Sequence, residues 1–135
     1  MSIEEQRKKV LDEKFKVSSR ISDLSRYIGF GLVAIVYTIL TSDSVAITKL
    51  YGNKNTLILV AACLGAVTIV LDYVQFLAGY FSVQEALENE AGQYKYNNQS
   101  IAYTARNFAF WAKQTSALFG AIIFGVSIVL PFVCA

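Results

Sequence analysis

Between Lys54 and Glu85 the chain carries a single charged residue, Asp72. A helix through this stretch is long enough to cross a bilayer, since about 20 apolar residues suffice. Two further apolar runs accompany it, Tyr27–Ser42 and Thr115–Ala135, the latter with no charge at all. In a chain of 135 residues the deficit of charge is concentrated in these three runs. Charged residues make up 16% of the whole, against about 25% in a soluble domain. The expected fold class is therefore all-α: a polytopic integral membrane protein with three transmembrane helices and cytosolic helical extensions.

Two segments extend these spans. Residues 3–26 contain neither proline nor glycine and read as helix, with Val10, Val17, Ile21, Leu24 and Ile28 on one stripe. Nothing between Ser25 and Tyr27 breaks the pattern, so this helix and the first span should form one rod. A cleavable signal peptide is not expected, because twelve charges precede Tyr27 and no early apolar core does. The predicted organisation is a cytosolic helix over 1–26 and a membrane bundle over 27–135. Its spans fall near 27–42, 56–80 and 115–134, with a cytosolic helical connection over 81–114.

Turns are expected around Tyr51-Gly52-Asn53-Lys54-Asn55 and over residues 92–99, with Gly92 stopping the second helix. Ser100 is positioned to cap the third helix, and Pro131 should fray its last turn. Phe108, Phe110 and Trp111, set between Arg106 and Lys113, resemble an interfacial belt.

Ten Lys and Arg residues lie in the amino-terminal arm and the second connection, against two in the first loop. That asymmetry predicts a cytoplasmic amino terminus and an outward carboxyl terminus, in a bacterium across the inner (plasma) membrane.

The second helix carries the most informative pattern. Ala61, Gly65, Thr68, Asp72, Gln75, Gly79, Ser82 and Ala86 recur at alternating steps of four and three, all small or polar. Such a seam favours close helix approach and hydrogen bonding between helices. A carboxylate in a span ordinarily faces protein or water. Counted from Thr56, Asp72 lies about 24 Å along the helix, in the cytosolic leaflet. There it can be hydrated, hydrogen-bonded to a neighbouring helix, ion-paired with Arg26, or displayed to a pore vestibule. Ala117, Ala121 and Gly125 form a second packing seam, with Ser116 and Gly120 beside it.

No catalytic, metal or cofactor site is expected. Histidine is absent, Cys63 and Cys134 lie far apart within apolar runs, and no phosphate-loop, nucleophile-elbow or zinc-helix motif occurs. A net charge of +2 gives no reason to expect nucleic acid. The expected partners are the lipid bilayer, further copies in a homo-oligomer, and a protein at the cytosolic stalk. Two functions fit. One is an ion-conducting pore or membrane-permeabilising effector lined by the second helix. The other is a non-conducting accessory, scaffolding or regulatory subunit of a larger membrane complex.

Overall fold

The computed structural model describes residues 3–42, 55–88 and 99–133. Among them the chain is entirely helical, apart from the residues that flank the helices. α1 spans Ile3–Leu40, α2 spans Asn55–Glu88 and α3 spans Ile101–Val133. The predicted turns around Gly52 and over residues 92–99, the stop at Gly92, and Cys134 lie outside the described residues, apart from residue 99.

α1 runs through Arg26 without interruption. α3 begins directly after Ser100, whose Oγ accepts a hydrogen bond from the Ala102 amide at 3.2 Å. The Ser100 hydroxyl also donates to Glu85 Oε2, which ties the start of α3 to the end of α2. The predicted fraying at Pro131 is not seen; α3 continues through it to Val133. Proline costs one backbone hydrogen bond, to residue 127, a loss that a helix tolerates near its end.

All three helices are long and apolar enough to cross a membrane. With 38, 34 and 33 residues, each exceeds a hydrocarbon core of about 30 Å by roughly 20 Å. Their outward faces are apolar: Val70, Phe76 and Leu118 are each about 60% exposed, as are many neighbours to a lesser degree. Water does not tolerate so broad an apolar surface on a monomer, whereas lipid does.

Paired contacts fix the topology. Gly29 of α1 meets Gly65 of α2, and Arg26 meets Asp72, so the two helices are antiparallel. Ser116 and Gly120 of α3 meet Leu64, and Lys113 meets Asp72, so α3 is antiparallel to α2 and parallel to α1. At one end the interior is apolar. Val36 and Ile58 are buried there, with Ile39, Ala62 and Phe124 packed against them.

Glycines set the closest approaches. A Cβ on Gly65 would lie 2.8 Å from the Gly29 carbonyl oxygen and 3.0 Å from Leu32 Cβ. One on Gly120 would lie 2.8 Å from Leu32 Cδ1 and 3.2 Å from Leu64 Cβ. At these two points the helices meet almost backbone to backbone, as small residues allow in membrane bundles.

Candidate functional site

The α2 seam faces the interior of its own chain. Ala61, Gly65, Thr68, Asp72 and Ser82 are buried, and Gln75 and Gly79 are half-buried. Ala86 falls outside the described side chains. α1 and α3 therefore cover the face that the sequence marked as small and polar. One backbone carbonyl, that of Leu64, accepts from two hydroxyls here. Thr68 Oγ1 donates to the Leu64 carbonyl at 2.8 Å, and Ser116 Oγ donates to the same oxygen at 2.9 Å. A carbonyl has two lone pairs, so one group accepts from both helices.

Asp72 stands at the centre of an ionic layer. Arg26 Nε of α1 donates to its Oδ2 at 2.6 Å, and Lys113 Nζ of α3 donates to its Oδ1. Lys113 Nζ also donates to Ser22 Oγ. Asp23 Oδ1 lies 3.7 Å from an Arg26 guanidinium nitrogen. Two cations and two carboxylates thus balance, and one carboxylate joins all three helices. Lys113 is wholly buried and the Asp72 side chain is 9% exposed, while the Arg26 side chain remains about one-third exposed (32%). Arg26 also lies 5.2 Å from the centroid of the Phe76 ring, a cation–π contact at its open side.

Local sequence explains how each group reaches this layer. Ser22 and Arg26 are four apart, hence neighbours on one face of α1. Ser25 is buried as well, and its hydroxyl donates back to the Ile21 carbonyl at 2.9 Å. On α3, Ala109 and Lys113 are four apart and both buried, and the alanine leaves room for the lysine stem.

Of the interactions weighed from sequence, the Arg26 ion pair is present. The sequence pattern places Lys113 in an aromatic and basic belt and does not reveal its bond to Asp72. Hairpin symmetry carries the missing signal. Asp72 and Lys113 stand the same distance either side of residues 92–93, in the predicted turn. Arg26 and Asp72 are likewise both 23 residues from Lys49.

The α3 seam is displaced from the expected one. Ala117 is buried and Ala121 half-buried, but Gly125 is exposed, and a Cβ added there would meet nothing within 4 Å. The buried line passes instead through Ala109, Lys113, Ser116, Ala117, Gly120 and Ser127. The spacing of four drifts around a helix of 3.6 residues per turn, whereas steps of three and four stay on one face.

The chemistry available to this layer is electrostatic. Charges held in an apolar interior fix the register and tilt of three helices, and removing one partner leaves another charge stranded. Comparison with protein families, curated proteins and solved structures gives no match to this chain.

Proposed function

We propose that this chain is a non-catalytic, non-conducting membrane subunit with a scaffolding or regulatory role, held in one conformation by its interior ionic layer. The observation that carries the reading is the burial of the α2 seam within a single chain. Asp72, the residue best suited to attract cations in a lumen, is bound on both oxygens by Arg26 and Lys113. A pore lined by α2 would require α1 and α3 to leave that seam and both ion pairs to break. In this reading the amino terminus is cytoplasmic, the carboxyl terminus is outside, and the surplus helix length projects from the cytoplasmic face. A protein partner would meet those projections or the apolar flanks.

Planar-bilayer recording of the purified full-length protein tests the proposal. We expect no current across a range of voltages and protein amounts. A cysteine placed at Gly79, where a Cβ meets only ordinary contact, with Cys63 and Cys134 replaced, should give no symmetric self-cross-link. A reproducible conductance whose selectivity changes in Asp72→Asn would instead establish the pore.

A further inference from the structure

Beyond the ionic layer, toward the amino-terminal part of α1, the three helices separate around a cleft. Ser18, Gln75 and Arg106, one from each helix, line both of its lobes. One lobe, of about 350 Å3, adds Lys14, Tyr103, Asn107 and Trp111. It is lined by two cations, by the apolar ring of Phe110 and otherwise by side chains that can donate hydrogen bonds, and no carboxylate lines it. The other lobe, of about 580 Å3, is walled in part by Phe15, Phe76, Tyr80 and Val83. Its one carboxylate, Asp23, is directed at Arg26. Both volumes fall in the range of small-ligand sites, about 300–1,000 Å3.

Two details single out this cleft. Gln75 Oε1 is buried at the junction of the lobes without a hydrogen-bond partner among the described residues, although a buried amide normally has one. The Arg106 stem lies against Gly79, 3.6 Å from where a Cβ would be, and its guanidinium lies over the Tyr103 ring. The arginine stem thus lies along α2 between the lobes. Trp111 is 68% exposed at the rim, as expected where a helix passes through the headgroup zone.

We propose that the cleft framed by Lys14, Arg106, Asn107 and Gln75 binds the phosphodiester headgroup of an anionic phospholipid, with the glycerol and first acyl carbons against Phe15, Phe76, Tyr80 and Val83. Lys14 and Arg106 supply charge-assisted hydrogen bonds to the phosphate. Gln75 Oε1, an acceptor, takes a hydrogen bond from a headgroup hydroxyl, and the Asn107 amide nitrogen donates to the phosphate. A phosphate with an apolar body matches a cation-lined lobe joined to an aromatic one, and a bilayer supplies such molecules from the side. The site is independent of whether the protein conducts.

Trp111 is the only tryptophan in the chain, so its emission reports on this lobe directly. The full-length protein, delipidated in an uncharged maltoside detergent, is titrated with dihexanoylphosphatidylglycerol. We expect a saturable change in emission, and binding of dihexanoylphosphatidylcholine at least about tenfold weaker. Lys14→Gln and Arg106→Gln should each weaken phosphatidylglycerol binding about three- to tenfold. Arg20→Gln, outside the cleft, should leave it unchanged. Lys14 lies on an exposed face of α1, so its variant keeps the test decisive if Arg106→Gln does not fold. Equal binding of both lipids, or no greater loss in Lys14→Gln than in Arg20→Gln, overturns the site. Inorganic phosphate that gives the same saturable change and displaces the lipid overturns the lipid assignment in favour of a soluble phosphate.

Discussion

Asp72 is the residue whose loss should cost most. Among the described residues it is the sole carboxylate bound to Lys113, and Lys113 has no exposure to water. Asp72→Asn leaves that ammonium with only the Ser22 hydroxyl and a neutral amide. Breaking a buried pair in this way costs about 3–5 kcal/mol. Lys113→Gln is milder, because Asp72 keeps the Arg26 guanidinium; a loss of about 1–3 kcal/mol is expected. Arg26→Gln should be milder again, given that its side chain is one-third exposed. Denaturation of the three variants in detergent micelles should reproduce that order. An Asp72→Asn variant as stable as Lys113→Gln would mean that Lys113 is not held by this carboxylate. The sequence made Asp72 conspicuous because one charge in an apolar span has few neutral explanations. Lys113 stayed inconspicuous because it sits beside aromatic residues in a pattern common at membrane surfaces.

Among the helices, α2 is the axis on which the others pack, and its two-faced composition is the reason. The seam of alternating threes and fours was readable because a helix repeats that way, and it maps onto a face buried within the chain. What the seam touches was not readable. Small residues permit close approach without specifying the approaching helix, and the choice rests on hairpin register. Gly65 and Gly125 separate the two cases. A Cβ at position 65 would collide with the α1 backbone, so Gly65→Ala should destabilise the bundle by about 1–3 kcal/mol. Gly125 faces open space, and Gly125→Ala should be neutral or gain a few tenths of a kcal/mol from helix propensity. Thermal unfolding followed by circular dichroism measures both. A destabilised Gly125→Ala would mean that another surface covers that face. The α3 spacing of small residues was legible, but its buried line was not, since Ala117, Ala121 and Gly125 recur at a spacing that drifts off one face.

For the molecule as a whole, the all-helical class and three span-capable helices followed from length and charge distribution alone, because lipid restricts a chain to very few structures. Function was far less legible. A polar seam serves a lumen, a sister subunit or the chain's own interior equally well in sequence. The folded chain covers most of its seam with α1 and α3, ties the Thr68 hydroxyl to a backbone carbonyl, and neutralises Asp72. This self-sufficiency is what favours a scaffold over a conduit, and it rests on the Asp72–Lys113 pair joining α2 to α3 inside one molecule. A double-mutant cycle on that pair is the most direct test. Unfolding of the wild type, Asp72→Asn, Lys113→Gln and the double variant is measured at two protein concentrations in excess detergent. We predict a coupling of about 2 kcal/mol or more that is the same at both concentrations. A coupling within about 0.5 kcal/mol of zero, or one that fades on dilution, would contradict a pair formed within a single chain.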